Sequence, residues 1–353
     1  MKIAVVRNRR NEGVVARFGV PTAEKYGRTA VQGVVDALRR AGHQVAILEG
    51  DGTLFARLAE FMPADPGTGA PTGMVFNMSY GVQGECRYVH VPGLLEMAGV
   101  PYTGSSPRGH AACLDKVVTK LLIAKAGVAT PRFCTMWVPA DFDSSLRFPL
   151  IVKPRHESTS LGLALVHDRS QLDAAVANIV ATYGQDALVE EYVDGREVAI
   201  GLLGNDPPTV LPIVELDFRG RSSRIVSKGD KFHKTDDEPE KLCPAPLDPA
   251  LERELHALAH KVWRACGCRD YARIDVRIGL DGRPSVLEIN SMASLGAGGS
   301  YMRAATTAGF TFDSLIAEIV DRAHLRCFGT PAPRDPIAVP DDAQLALATE
   351  LED

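Results

Sequence analysis

Cysteine is scarce in this chain. Its seven cysteines in 353 residues are scattered and odd in number, which argues against a disulfide framework. Cys266 and Cys268 form a Cys-Gly-Cys pair with no second pair at zinc-ligand spacing, so they read as buried structural thiols. Excess charge of one sign is equally lacking. The net charge is -5 and no stretch interleaves aromatic with basic residues, which excludes the electrostatic footprint of a nucleic-acid binder. No apolar run approaches membrane-spanning length, and the opening run 2–6 is too short for the apolar core of a signal peptide. The expectation is a cytoplasmic protein with no nucleic-acid and no membrane partner. There is no internal repeat.

What is present is an ordinary globular composition, 45% hydrophobic and 24% charged, in a chain long enough for two or three subdomains. Short β-branched runs at 2–6, 44–48 and 74–77 alternate with a helical stretch at 28–41 that ends at Gly42. That βαβ rhythm predicts a parallel sheet in the first hundred residues. Residues 63–73 are a Pro/Gly-rich surface loop. Further on, the pattern predicts a helix over 115–126, strands over 149–153, 161–167, 187–191 and 198–203, and helices over 170–181, 249–266 and 312–327. Residues 219–242 are polar and aperiodic, the mark of a functional lid or a disordered loop. From 330 onward the Pro-rich, acidic tail reads as disordered.

The most informative stretch is 273–290, a β-hairpin. Asp281-Gly282 suits a two-residue turn, because both positions tolerate positive φ. With Leu280 and Arg283 flanking it, Asp275 falls opposite Glu288 and Arg273 opposite Asn290. Alternation then puts Ile274, Val276, Ile278, Leu287 and Ile289 on one apolar face, and Arg273, Asp275, Glu288 and Asn290 on the other. Two directly opposed carboxylates repel. They mark either a solvated face diluted by Arg273 and Arg277 or a Mg²⁺ site, since that ion takes carboxylate and amide oxygens together with substrate phosphates.

Two other segments bear on this choice. In 151–162 a buried strand ends at Lys153 and enters a Ser/Thr/Gly loop, which is a phosphate cradle or a plain connection. In 187–198 an apolar strand exits into Glu190 and Glu191, turns at Asp194-Gly195 and resumes with Glu197. Such a segment suits an adenine edge and ribose hydroxyls, or is simply an exposed turn.

In order and spacing these segments resemble the ATP-grasp superfamily. With Leu114-Asp-Lys116, residues 80–85, 101–105, 243–245 and 267–275, the chain is similar to the D-alanine:D-alanine ligase family over about 1–327. The resemblance implies an α/β, ATP-grasp fold: an N-terminal parallel-sheet substrate domain (1–105), central (106–195) and C-terminal (196–329) α+β subdomains sandwiching ATP, and a tail (330–353). It implies that Lys116 and Lys153 contact ATP phosphates, that Thr159 and Ser160 sit in the loop closing over them, that Glu190 and the Val193 backbone read adenine, and that Glu197 reads ribose. Asp275, Glu288 and Asn290 would hold two Mg²⁺ ions, with Mn²⁺ as a substitute. Arg273 would stabilise the oxyanion, and Lys231 would be the lid lysine. Glu24, or Glu85 at the end of a parallel strand, would orient the first substrate. His90 and His110 read as structural or exposed. The partners implied are amino-acid-like small molecules and a second copy in a homodimer.

The departures cluster at the acceptor site. Tyr80 replaces a histidine and Cys86 an aspartate. The oxyanion-hole glycine falls at Ser294, the acceptor-gripping serine becomes Gly299 with Ser300 beside it, and the lid tyrosine is Phe232. The expectation is therefore an ADP-forming ligase that joins an amino acid to an amino acid or related acceptor through an acylphosphate, with substrates other than two D-alanines. The alternatives are an authentic cell-wall D-alanine:D-alanine ligase and a catalytically silent nucleotide-binding regulator. Retention of Arg273, an oxyanion donor of no use to a mere binder, favours the enzyme.

Overall fold

The structure is a computed structural model that describes residues 1–8, 24–221, 224–225 and 239–333. Lys231, Phe232 and most of the expected lid lie outside the described residues. The first unit runs β1 (Lys2–Arg7), α1 (Arg28–Arg40), β2 (Gln44–Glu49), α2 (Leu54–Phe61), β3 (Gly73–Met78) and α3 (His90–Ala98). Its sheet is parallel in the order β2-β1-β3, as the βαβ rhythm requires. Alternation along β1 explains how both faces are covered. Ile3 and Val5 pack on α1 through Val31, Val34, Val35 and Leu38, while Ala4 and Val6 pack on Leu54 and Leu58 of α2 and Val91 and Leu95 of α3. The four α1 residues follow an i, i+3, i+4, i+7 stripe.

The second unit comprises α4 (Pro107–Leu114), α5 (Lys116–Lys125), β4 (Phe133–Met136), β5 (Leu150–Pro154), β6 (Ala164–Val166), α6 (Arg169–Tyr183) and β7 (Ala187–Glu191). Its antiparallel sheet has the order β4-β7-β5-β6. The strand expected over 161–167 is shorter because Thr159, Ser160 and Gly162 all take left-handed φ and turn the chain first.

The third unit holds β8 (Gly195–Leu203), β9 (Thr209–Val210), β10 (Val214–Asp217), β11 (Glu240–Leu242), α7 (Pro249–Cys266), β12 (Tyr271–Gly279), β13 (Pro284–Asn290), α8 (Ser300–Thr307) and α9 (Phe312–Phe328). β11 corrects the reading of 219–242 as loop throughout: Glu240–Leu242 pairs antiparallel with β10, its exposed charges having hidden the strand. The tail is corrected at its start, since Ala332 is buried in the core beside α9 and its N–H donates to Asp321.

The hairpin departs from expectation twice, and the departures cancel. Gly279 and Arg283 close a three-residue loop, with Gly282 N–H donating to Gly279 C=O at 2.9 Å and Gly282 at φ 79°. Ile278 therefore faces Pro284, Arg277 faces Ser285 and Val276 faces Val286, one step off the expected register. A bulge at Leu287 then restores it, so Asp275 does oppose Glu288 and Arg273 opposes Asn290. Leu287 leaves the apolar face to which it was assigned, and Val286 takes its place in the core under α7.

Asp270 ties the units together. It is fully buried and accepts from Gly104 N–H (2.8 Å), Asn205 Nδ2 (3.0 Å) and Arg326 Nε and Nη2 (3.0 and 2.9 Å). Removing a carboxylate that balances a part-buried guanidinium strands the partner charge. Asp270→Ala is expected to destabilise the protein by roughly 3–5 kcal/mol, measured by urea unfolding, and a loss under about 1 kcal/mol would show that the network is not structural.

Candidate active site

An open cleft of ≈ 830 Å³ lies between the second and third sheets, with Lys116, Lys153, Thr159, Ser160, Glu190, Val193 and Glu197 among its lining residues. Helical spacing places the first cation: Lys116 and Lys120 stand four apart on α5 and share one face. Asp115 caps that helix by accepting from Val117 and Val118 N–H, and it also holds the Arg155 guanidinium at 2.7 and 2.9 Å. The start of α5 is thereby fixed against the end of β5. On the sheet, Lys153 Nζ lies 2.5 Å from Glu190 Oε1 and Lys120 Nζ 2.7 Å from Glu190 Oε2. Burial opposes every charge in this group. It leaves Lys116 and Lys120 with depressed basicity, but the Glu190 and Glu288 carboxylates outweigh it for Lys153, whose pKa is raised. Burial also works against the Glu190 carboxylate, and the two ammonium groups reverse this and hold its pKa below the usual range. Thr159 and Ser160, at φ 55° and 58°, are non-glycine residues in the left-handed region at the cleft wall, the type of outlier that accumulates at ligand clamps.

The hairpin supplies the acidic face. Arg273 grips Asp275 with both arms, Nε to Oδ1 at 2.7 Å and Nη2 to Oδ2 at 2.8 Å, and Asn290 Nδ2 donates to Asp275 Oδ2 at 3.1 Å. Lys116 Nζ is 3.9 Å from Glu288 Oε2. Arg273 remains protonated because Asp275 overrides its burial. Among the described residues, no three His, Cys, Asp or Glu side chains converge as a protein-only metal cage. The donor set of two opposed carboxylates and one amide instead fits a hard divalent cation that keeps places for phosphate oxygens.

The cleft continues into a larger one of ≈ 2420 Å³, and Lys116, Thr159, Glu197, Asp275 and Glu288 line both. The second cleft collects Glu24, Tyr80, Arg273, Asn290, Ser294, Gly299 and Ser300. Glu24 is buried and engaged, with Arg87 Nη2 at 3.0 Å and Tyr88 OH at 2.8 Å from its Oε2. Tyr80 stacks on Tyr26 at 4.8 Å and lies 5.4 Å from Tyr88. Beneath this wall His110 Nδ1 sits 2.8 Å from Ser291 Oγ, and burial lowers the imidazole to about 3, so it is neutral.

Glu85 alone among the described candidates stands apart. Gly84 turns in the left-handed region, Glu85 is left exposed and lines neither cleft, and Arg87 and Tyr88 point inward instead. Tyr301, next to Ser300, is buried in the core, and its hydroxyl donates to Leu202 C=O. The sequence reading also missed four groups. Arg87 joins Glu24 to Glu157 (3.3 Å) and His156 C=O (2.9 Å), Lys120 completes the Glu190 pair, Arg277 Nη2 lies 3.0 Å from Glu197, and Asp270 links the units. Only Lys120 carried a signal, its i+4 spacing from Lys116. The other partners are far apart in the chain. Cys113 joins the Cys266-Gly-Cys268 thiols, with 3.5 Å between its Sγ and that of Cys268.

The family model for the D-ala D-ala ligase C-terminus matches residues 124–321. The uncharacterized protein y4sG of Sinorhizobium fredii is 48% identical over 334 residues, 93% of this chain and 98% of that protein. The D-alanine–D-alanine ligase of Cupriavidus necator is 34% identical over 307 residues, 83% of this chain and 91% of that protein. Among solved structures, the D-alanine–D-alanine ligase from Bacillus anthracis complexed with ATP superposes with a TM-score of 0.73 at 20% identity, covering 93% of this chain and 98% of that one. No helix among the described residues is long and apolar enough to cross a membrane. The family model, the full-length relatives and the shared fold together make this chain a member of the D-alanine–D-alanine ligase family, an ADP-forming ligase with the ATP-grasp fold.

Proposed function

We propose that this chain uses ATP to join the carboxylate of an amino acid to the amine of a second substrate other than D-alanine. The carrying observation is the junction of the two clefts at Lys116, Asp275 and Glu288, where a transferring phosphoryl group and a substrate carboxylate meet. Lys116 and Lys153 bind the ATP phosphates, Glu197 takes the ribose hydroxyls, and the Val193 backbone meets the adenine edge. Both Glu190 oxygens are held by lysines, so its main work here is to orient those lysines. Asp275, Glu288 and Asn290 would hold the Mg²⁺ ions. When bound, the metal neutralises the transferring phosphoryl group.

The reaction follows from these positions. The substrate carboxylate displaces ADP from the γ-phosphorus to give an acylphosphate. The acceptor amine then adds to the acyl carbon and loses a proton, and inorganic phosphate departs as the amide forms. Arg273, lining the second cleft, donates to the oxygen that becomes negative in the tetrahedral state. Glu24, already polarised by Arg87 and Tyr88, faces the first substrate.

The acceptor reading rests on residues 294–300. A Cβ on Gly299 would come within 3.1 Å of Gly296 C=O and 3.3 Å of Ser294 C=O, so a serine there would crowd this loop. With that donor gone, Ser300 and the N-terminus of α8 hold the acceptor, which is bulkier than alanine or gripped through groups other than an α-carboxylate.

Two measurements test this reading. Glu288→Gln is expected to leave ATP affinity within about tenfold but to cut turnover at least roughly a hundredfold, because the lost charge matters most in the transition state. A variant with normal phosphate release would remove Glu288 from the metal site. In a phosphate-release screen with ATP, Mg²⁺ and paired amino acids, amines and hydroxy acids, a larger acceptor should give the highest kcat/KM. If D-alanine gives the highest value in both roles, the acceptor assignment is wrong.

A further inference from the structure

We propose that Lys120, which lines neither cleft, is a positioning residue that couples the phosphate-binding lysine Lys153 to the metal-face carboxylate Glu288. The proposal rests on the reading of the smaller cleft as the nucleotide site. Lys120 is fully buried, an unusual place for a lysine. Its ammonium has two oxygen partners, and one of them leads on to the third unit. Toward the second sheet it meets Glu190 Oε2 at 2.7 Å, and Glu190 Oε1 holds Lys153 at 2.5 Å. In the other direction it donates to Thr130 Oγ1 at 2.6 Å, and that hydroxyl donates onward to Val286 C=O at 2.8 Å. Val286 N–H also donates to Ala129 C=O at 2.9 Å. Val286 immediately precedes the bulged Leu287, and Glu288 follows. The strand is therefore pinned at the point where its register is corrected to bring Glu288 opposite Asp275.

Charge completes the argument. Glu190 shares one negative charge between two ammonium groups. If Lys120 were neutral, Lys153 would become the sole counter-ion of a buried carboxylate, and would be drawn toward Glu190 and away from a phosphate. Lys120 thus keeps Lys153 available, while Thr130 carries the same contact to the metal-bearing strand.

The test is calorimetric titration of the full chain with Mg²⁺ and the non-hydrolysable ATP analogue AMP-PNP, which needs no knowledge of the other substrates. Lys120→Met should weaken binding roughly tenfold or more. Adding Glu190→Gln to that variant should recover at least about half of the lost affinity on a logarithmic scale, because it frees Lys153 again. A purely structural lysine predicts the opposite, a double variant weaker than the single one, and that result would overturn the proposal. So would Lys120→Met binding within about twofold of the wild type. Thr130→Val, which leaves every charge in place, covers the case in which Lys120→Met does not fold. It should weaken AMP-PNP binding severalfold with Mg²⁺ present and leave metal-free binding unchanged, whereas equal losses in both conditions would refute the link to the metal face. Failure of the wild type to bind Mg²⁺ and AMP-PNP would instead sink the nucleotide-site reading.

Discussion

Asp275 and Glu288 stand directly opposite one another on one face of an antiparallel hairpin, and their mutual repulsion organises much of the nearby structure. Opposed side chains in such a pair lie about 5 Å apart. At an effective dielectric near 20, two like charges at that distance cost on the order of 3 kcal/mol. The surroundings compensate. Arg273 holds Asp275 with two charge-assisted hydrogen bonds, Asn290 adds a third, and Lys116 stands 3.9 Å from Glu288. A site with this much compensated negative charge suits a divalent cation bridging to phosphate.

The same balance recurs inside the second sheet, where Glu190 is buried between Lys120 and Lys153. Buried ion pairs contribute little net stability against their desolvation cost, which supports the proposed role of the arrangement in positioning Lys153. Rigidity is supplied elsewhere, by the apolar packing of β8, β12 and β13 under α7 and by the Asp270 network that joins the first unit to the third. The charged groups of the cleft thus sit largely on stiff strands, while the loop at Thr159 and Ser160 takes left-handed φ beside the cleft.

The period-3.6 pattern was readable where one face was buried and the other wet, as in α1, and short apolar runs marked the strands buried on both faces, as in β1 and β7. They failed where burial did not follow the pattern. β11 was hidden because Glu240 and Lys241 read as loop, and α4, rich in Gly, Ala and His, lacked a clear apolar stripe. The hairpin shows a subtler limit. Asp281-Gly282 marked the turn correctly but not its length, because a three-residue loop with glycine at its last position uses the same dipeptide. The opposition of Asp275 and Glu288 survived only because the Leu287 bulge shifted the register back.

The amino-acid sequence by itself determined the parallel first sheet, the helix of Pro249–Cys266, the acidic hairpin face and the order of cations and carboxylates that marks the family. These features depend on local periodicity and on short-range spacing, which a linear chain displays directly. Tertiary structure alone decided the partners of Glu24, Glu190, Glu197 and Asp270. Their cations, Arg87, Lys120, Lys153, Arg277 and Arg326, lie 37 to 80 residues away along the chain. Coulomb energy depends on distance in space and on burial, and neither can be read from separation along the chain.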